Sequence, residues 1–262
     1  MTCVEWSLSV QHVLLPKAGL LKSECEDSIG VRRDTRRFCV ADGATEAYDS
    51  GRWARLLTKH WAASSRLLTS EELAPWMRAL GERMEKRWSK KSLPWYAEEK
   101  AHGGAFAALV GLAFFGHGDG GPSWQAIALG DSCLVHRREA TVLRALPLSD
   151  PAAFGYHPTL VPSKPSRQEG IADSFIVAGG HAQPGDVFLL LSDAIAAWYL
   201  RLCSEDPSKL AELERLLESN DALGVEDLIS SERSGQRLRN DDIAIVRVLV
   251  CSDAQPATVA RM

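Results

Sequence analysis

No two of the six cysteines (Cys3, Cys25, Cys39, Cys133, Cys203, Cys251) stand at CxxC spacing. That excludes a zinc ribbon and points to buried or free thiols in a reducing compartment rather than a disulfide framework. There is no HExxH and no other close histidine pair, so catalytic zinc of that kind is excluded. A GxSxG elbow is missing, which disfavours a serine hydrolase of that type. A GxxxxGK[ST] loop is missing as well, which removes P-loop nucleotidases. The longest apolar run, Ala105 to Phe115, falls far short of the ~20 residues that span a bilayer. The N-terminus lacks a basic stretch leading into an apolar one, so no signal peptide is read. There is no basic excess either; the net charge is -4, which argues against a nucleic-acid partner. No repeat and no linker breaks the chain. The expectation is a soluble, cytoplasmic protein with one domain over residues 1–251 and a loose tail over 252–262.

What is present is enough apolar material for a sizeable core, 45% of 262 residues. Its arrangement is repetitive in one respect: apolar runs end in acids. Phe38-Cys39-Val40-Ala41 delivers Asp42-Gly43. Ala126 to Leu129 delivers Gly130-Asp131, and Val187 to Leu191 delivers Ser192-Asp193. Asp241-Asp242 enters a fourth run, Ile243 to Val250, and Glu26-Asp27 precedes a fifth. One aspartate at a strand end is an ordinary turn former. Several such acids brought together repel one another, and cations must offset that cost. Hard divalent ions such as Mg²⁺ or Mn²⁺ take oxygen ligands of this kind. The pattern therefore predicts a carboxylate-built metal centre.

Around these acids the elements follow from periodicity. Val4 to Val10 reads as an edge strand. Ser28 to Arg33 and Arg36 to Ala41 read as a hairpin turning at Asp34-Thr35, its four arginines forming a solvated tip. From Asp49 the apolar spacing becomes helical through Trp53, Leu56, Leu57, His60 and Trp61, with His60 expected as a packed core residue. A second helix starts near Ser70, with Leu73, Trp76, Leu80, Met84 and Trp88 inward and Glu71 and Glu72 in its first turn. Gly103 to Phe115 is taken as a strand. Gly116 to Gly121 matches GxGxxG, but no helix follows, so it is read as a hairpin loop and not a nucleotide site. Trp124–Leu129, Cys133–Arg137 and Thr141–Leu146 are expected as a meander. The five prolines between 147 and 170 mark an irregular segment beside the site. Strands at Phe175–Ala178 and Val187–Leu191 follow, then helical segments at Ala194–Leu200, Leu210–Leu217 and Ala222–Ser230.

Six of these stretches, in order, resemble the motifs of the metal-dependent protein phosphatases of type 2C in their compact bacterial form. Cys25-Glu26-Asp27 resembles the first acidic motif. Val40-Ala41-Asp42-Gly43 resembles VADG, and Gly103-Gly104-Ala105 falls at a GT-type strand start. Leu129-Gly130-Asp131-Ser132 resembles GDS. Gly185-Asp186 through Leu191-Ser192-Asp193 resembles GD…LLLSDG, and Asn240 to Ala244 resembles DNxT. The resemblance spans about residues 5 to 250.

It implies an α+β fold, an αββα sandwich of two antiparallel sheets with helix pairs outside. It also implies two Mn²⁺ or Mg²⁺ ions at one end. Asp42 would bridge them. Glu26 and the Gly43 carbonyl would complete one ion; Asp193 and Asp241 would hold the other. Asp131, with Asp193, would hold a third, weaker ion. Asp27 would order water, and Lys22 would face the substrate phosphate. The implied reaction is attack of a bridging hydroxide on a phosphoserine or phosphothreonine ester of a protein substrate. The chain departs from the pattern in substrate-facing groups. Ala44 to Ala47 replace a glycine pair and a histidine, Ala194 replaces the SDG glycine, and Ala244 replaces the DNxT threonine. Lys22 stands where many members have arginine, and lysine loses bidentate geometry. Two alternatives follow: a phosphatase-fold module that binds a phosphoprotein without turnover, and a metal-dependent phosphodiesterase or small-molecule phosphatase.

Overall fold

A computed structural model describes residues 6–64, 68–89, 100–116, 121–155 and 157–252. Two antiparallel sheets pack face to face. The first is ordered β1-β11-β10-β6-β7, from β1 (Trp6–Leu15), β11 (Ile243–Ser252), β10 (Asp186–Leu191), β6 (Cys133–Arg138) and β7 (Thr141–Leu146). The second is ordered β2-β3-β4-β5-β9, from β2 (Ser28–Arg32), β3 (Arg37–Gly43), β4 (Phe106–Phe115), β5 (Ser123–Leu129) and β9 (Ile176–His181). The two-residue β8 (Val161–Pro162) adds to β4. Helices α1 (Ser50–Ala63) and α2 (Ser70–Trp88) cover the second sheet. Helices α3 (Asp193–Glu205), α4 (Pro207–Glu218) and α5 (Ala222–Ser234) cover the first. The layers are those of an αββα sandwich.

Period-two alternation explains why the central strands read as unbroken apolar runs. In β10, Phe188 and Leu190 point between the sheets, where they meet Val40, Val110, Trp124 and Val246. Val187, Leu189 and Leu191 point the other way, onto Trp198, Tyr199 and Leu213 of the helices. Both faces are covered, so alternation of hydrophobicity disappears from the sequence.

Three expectations need correction. The stretch from Trp124 to Leu146 is not one meander, because β5 lies in one sheet and β6 in the other. The Gly130-Asp131-Ser132 turn crosses between them. The arginine-rich hairpin tip is not simply solvated. Arg37 is buried and lies over the Trp61 ring at 5.1 Å, while Arg36 lies over Trp6 at 4.2 Å. His60 is half-buried rather than core, and shares a 2.8 Å hydrogen bond with Arg83 across the α1–α2 interface. The start of α2 is better capped than expected, since Glu72 accepts the Thr69 N–H at 3.0 Å. Strand β1 is longer than read, and β11 continues through Ser252, which pairs with Trp6. Residues 253–262 of the expected tail, and 117–120 of the glycine-rich loop, lie outside the described residues. Segment 147–170 carries short 3₁₀ turns at Pro151–Ala153 and Pro165–Arg167.

Candidate metal centre

The acids converge at one end of the sandwich because strand ends from both sheets meet there. Asp42 is the penultimate residue of β3, and Asp131 lies in the turn leaving β5. Asp193 opens α3 just after β10, and Asp241 and Asp242 lead into β11. Ligand oxygens of Asp42, Asp131 and Asp193 all lie within 4.8 Å of one another. Register brings in the rest. Ser28 pairs with Ala41, so Asp27 comes opposite Asp42 one step further on. The Ser192 N–H bonds the Ala244 carbonyl at 3.0 Å, which sets Asp193 beside the Asp241–Asp242 pair.

Two glycines let the backbone close up here. A Cβ on Gly43 would sit 2.7 Å from the Ser50 carbonyl carbon at the start of α1. Gly130 has φ +101°, and a Cβ there would meet that of Ala108 at 2.5 Å. A side chain at either position would displace the start of α1 or strand β4, which border the acidic end.

The electrostatics are those of acids held against their preference. Asp42 keeps some solvent contact, yet its pKa is raised well above the ordinary value, by burial first and then by Asp27, Asp193, Asp131 and Asp241. Asp27 is 2% exposed. Its pKa is raised by burial, and Asp242, Asp193 and Asp241 add to the effect, with the nearby Ser192 hydroxyl opposing. Neither Asp27 oxygen has a donor in hydrogen-bonding geometry. The Ser192 hydroxyl is engaged elsewhere, accepting from the Ala244 N–H at 2.9 Å and donating to the Asp242 carbonyl at 3.5 Å. Asp131 is pushed up to about 6 by burial and then by Asp193.

Two cations reach into the cluster, and sequence reasoning named neither. Lys17 pairs with Asp241 at 3.0 Å. Arg239 pairs with Asp193, and with Asp241 at 3.1 Å. Asp242 plays a different part, because its carboxylate accepts the Lys17 and Glu26 backbone N–H groups, each at 2.8 Å. It therefore ties the end of β1 and the approach to β2 to the start of β11. The signal for Arg239 was faint, an arginine two residues before the Asp pair. For Lys17 the sequence offered none.

Not every expected residue joins the cluster. Glu26 is half-buried on the rim, its Cα 3.0 Å from where a Gly51 Cβ would stand. It is outside the three-acid group. Lys22 is exposed on a 3₁₀ turn, Lys22–Glu24, and makes no ion pair among the described residues.

No family model matches the chain, and no curated protein matches it in sequence. Solved structures do match. The catalytic domain of the serine/threonine protein phosphatase PstP, in complex with two manganese ions, superposes with a TM-score of 0.60 at 16% identity, covering 94% of this chain and 100% of that one. PstP/Ppp of Mycobacterium tuberculosis gives 0.57 at 16% identity, over 92% and 98% of the two chains. The PPM Ser-Thr phosphatase MsPP of Mycobacterium smegmatis, in complex with cacodylate, gives 0.55 at 17% identity, again over 92% and 98%. The fold is that of the type 2C protein phosphatases. In this type 2C fold the acidic end suits divalent ions on its own chemistry. The donors are all oxygen, Asp27 is buried without a partner, and repulsion among the acids is only partly offset by Lys17 and Arg239. Among the described residues no helix is long and apolar enough to cross a membrane.

Proposed function

We propose that the chain is a Mn²⁺- or Mg²⁺-dependent phosphatase acting on phosphoserine and phosphothreonine in proteins. The observation that carries this reading is the gathering of Asp42, Asp131 and Asp193 within 4.8 Å, with raised pKa values on the first two. Asp42 is the residue through which two ions would be held together. Glu26 and the Gly43 carbonyl would help hold one ion, Asp193 and Asp241 the other, and Asp131 with Asp193 a third, weaker one. Divalent ions in this place supply Lewis-acid polarisation of a phosphoryl oxygen and lower the pKa of water. Asp27 lies deeper, and its unpartnered Oδ atoms suit it to hold water in place and to accept a proton from it. Lys22, exposed on its 3₁₀ turn, would suit a loose point-charge contact with substrate phosphate. Cytoplasmic location and a signalling role go with this reading.

The test is hydrolysis of p-nitrophenyl phosphate and a phosphoserine peptide under saturating Mn²⁺, beside an Asp42→Asn control. Turnover in the wild type alone supports the reading; equal rates in both proteins reject it.

One observation favours a second reading, a phosphoprotein-binding module without turnover. Arg239 and Lys17 already pair with Asp193 and Asp241, the acids assigned to one ion. That reading requires phosphopeptide binding that persists in EDTA, whereas binding that collapses on chelation counts against it.

A further inference from the structure

Beside the acidic cluster lies a cavity of about 240 Å³ with the opposite character. Arg201, Arg237 and Arg239 line it, together with Phe154, Ala194 and Trp198. No acid lines it among the described residues. The guanidinium of Arg201 reaches Glu205 only at 3.5 Å, on the solvent side, and otherwise donates to the Arg237 carbonyl. Arg237 is held by Glu232, but that carboxylate also takes Lys209, so one negative charge faces two positive ones. Arg239 is the common wall, since it lines the cavity while pairing with Asp193 and Asp241. The volume is below the roughly 300–1,000 Å³ of sites for whole small ligands, and suits one side chain.

We propose that this cavity is a substrate subsite that takes an acidic side chain, Asp, Glu or a second phosphoresidue, one to three positions from the phosphoserine or phosphothreonine being hydrolysed. The inference rests on the phosphatase reading above. An extended peptide advances about 3.3 Å per residue, so a side chain a few positions away spans the width of a shared arginine wall. Arginine's planar fork fits carboxylate and phosphate bidentately. The location also matters electrostatically. The cavity adjoins the aspartate cluster through Arg239, so an acidic neighbour on the substrate meets positive charge there.

The experiment uses the full chain with Mn²⁺ and a set of phosphoserine peptides carrying Glu at each position from three before to three after, against all-Ala flanks. At one or two positions Glu should raise kcat/KM about tenfold, a second phosphoserine at least as much, and Arg201→Glu should erase the gain. Arg201→Lys should keep part of it. Hydrolysis of p-nitrophenyl phosphate should be unchanged in both variants, which excludes misfolding. Indifference to Glu at every position, or a gain that survives Arg201→Glu, overturns the subsite. If no substrate turns over at all, the phosphatase reading has failed instead. Fluorescence anisotropy with the same labelled peptides then decides the subsite alone, since tighter binding of the Glu peptide, lost in Arg201→Glu, needs no hydrolysis, and equal binding of the Glu and Ala peptides overturns it.

Discussion

Asp186 and Glu232, on one hand, and Asp27 and Asp42, on the other, are acids held within the fold, yet they are treated in opposite ways. Asp186 is fully buried at the start of β10. It accepts from Arg138 at 2.6 and 3.0 Å, from the Gln183 N–H at 3.0 Å and from His136 at 3.0 Å. Burial alone would raise its pKa, but these partners bring it below the ordinary value. Glu232 in α5 accepts from Arg237 at 3.0 and 2.9 Å, from Trp198 at 3.1 Å and from Lys209, and its pKa falls to about 2. Asp27 has no such donors, and Asp42 is surrounded by further acids. A fold satisfies the buried charges it uses for structure. Charges left frustrated at strand ends mark where stability has been yielded to function.

The sharpest way to break this contrast is to neutralise one acid of each kind. Asp42→Asn should lower Mn²⁺-dependent turnover by about a thousandfold or more, equivalent to some 4 kcal/mol of barrier. In EDTA it should raise the urea midpoint, because it removes a repelling charge. Asp186→Asn should do the reverse, costing about 2–3 kcal/mol of stability while leaving a proportionate kcat in the folded fraction. Should Asp42→Asn destabilise the protein as much as Asp186→Asn does, the two sites are not different in kind.

Cations should relieve the frustrated site and ignore the satisfied one. Mn²⁺ at about a hundred times its Kd stabilises by roughly 2.7 kcal/mol, a rise in Tm of some 5–10 °C for a chain of this size. Calorimetry should show the rise reversed by EDTA, absent in Asp42→Asn and retained in Asp186→Asn. A rise that persists in Asp42→Asn puts the ion elsewhere.

Proton linkage gives a smaller and opposite reading on the structural side. Glu232 has an ordinary value of 4.5 and about 2 in the folded protein, so the unfolded chain binds the proton more readily. Its stabilisation is therefore complete above 4.5 and is lost as pH falls from there toward 2. Glu232→Gln should cost about 1–3 kcal/mol at pH 7. Urea unfolding at stepped pH should show the gap between wild type and variant closing below 4.5. A gap that stays constant down to pH 3 removes Glu232 from this account.

Much of this was legible in the chain because the local signals agree with the global fold. The strand-end acids Asp42, Asp131, Asp193 and Asp241 could be read because apolar runs fix where strands stop. The helix faces of α1 and α2 followed from period 3.6. The sheet to which each strand belongs could not be read, since β5 and β6 are adjacent in sequence and a turn of three residues can cross between layers as easily as reverse within one. Arg239, Lys17 and Asp242 were hidden for a related reason. Their roles depend on which strand ends meet, a long-range fact with no periodic trace. Asp242 looks like a ligand by position, but spends its oxygens on the Lys17 and Glu26 backbone.

Arg239, found only in the fold, and Lys22, read from the sequence, give the finest comparison between cations. Arg239 is bonded into the cluster, so a divalent ion must compete with it for Asp193 and Asp241. Lys22 is exposed and stands apart, and exposed charge contacts are worth about 0–1 kcal/mol. Arg239→Ala should therefore tighten Mn²⁺ binding up to about tenfold by isothermal calorimetry, and Lys22→Ala should leave that constant alone. On substrate, Lys22→Ala should raise KM less than about fivefold with kcat unchanged, the signature of a contact equal in ground and transition states. A hundredfold fall in kcat for Lys22→Ala would instead place its ammonium against the reacting phosphoryl group, and would require the 3₁₀ turn that carries it to close over the acids when substrate binds.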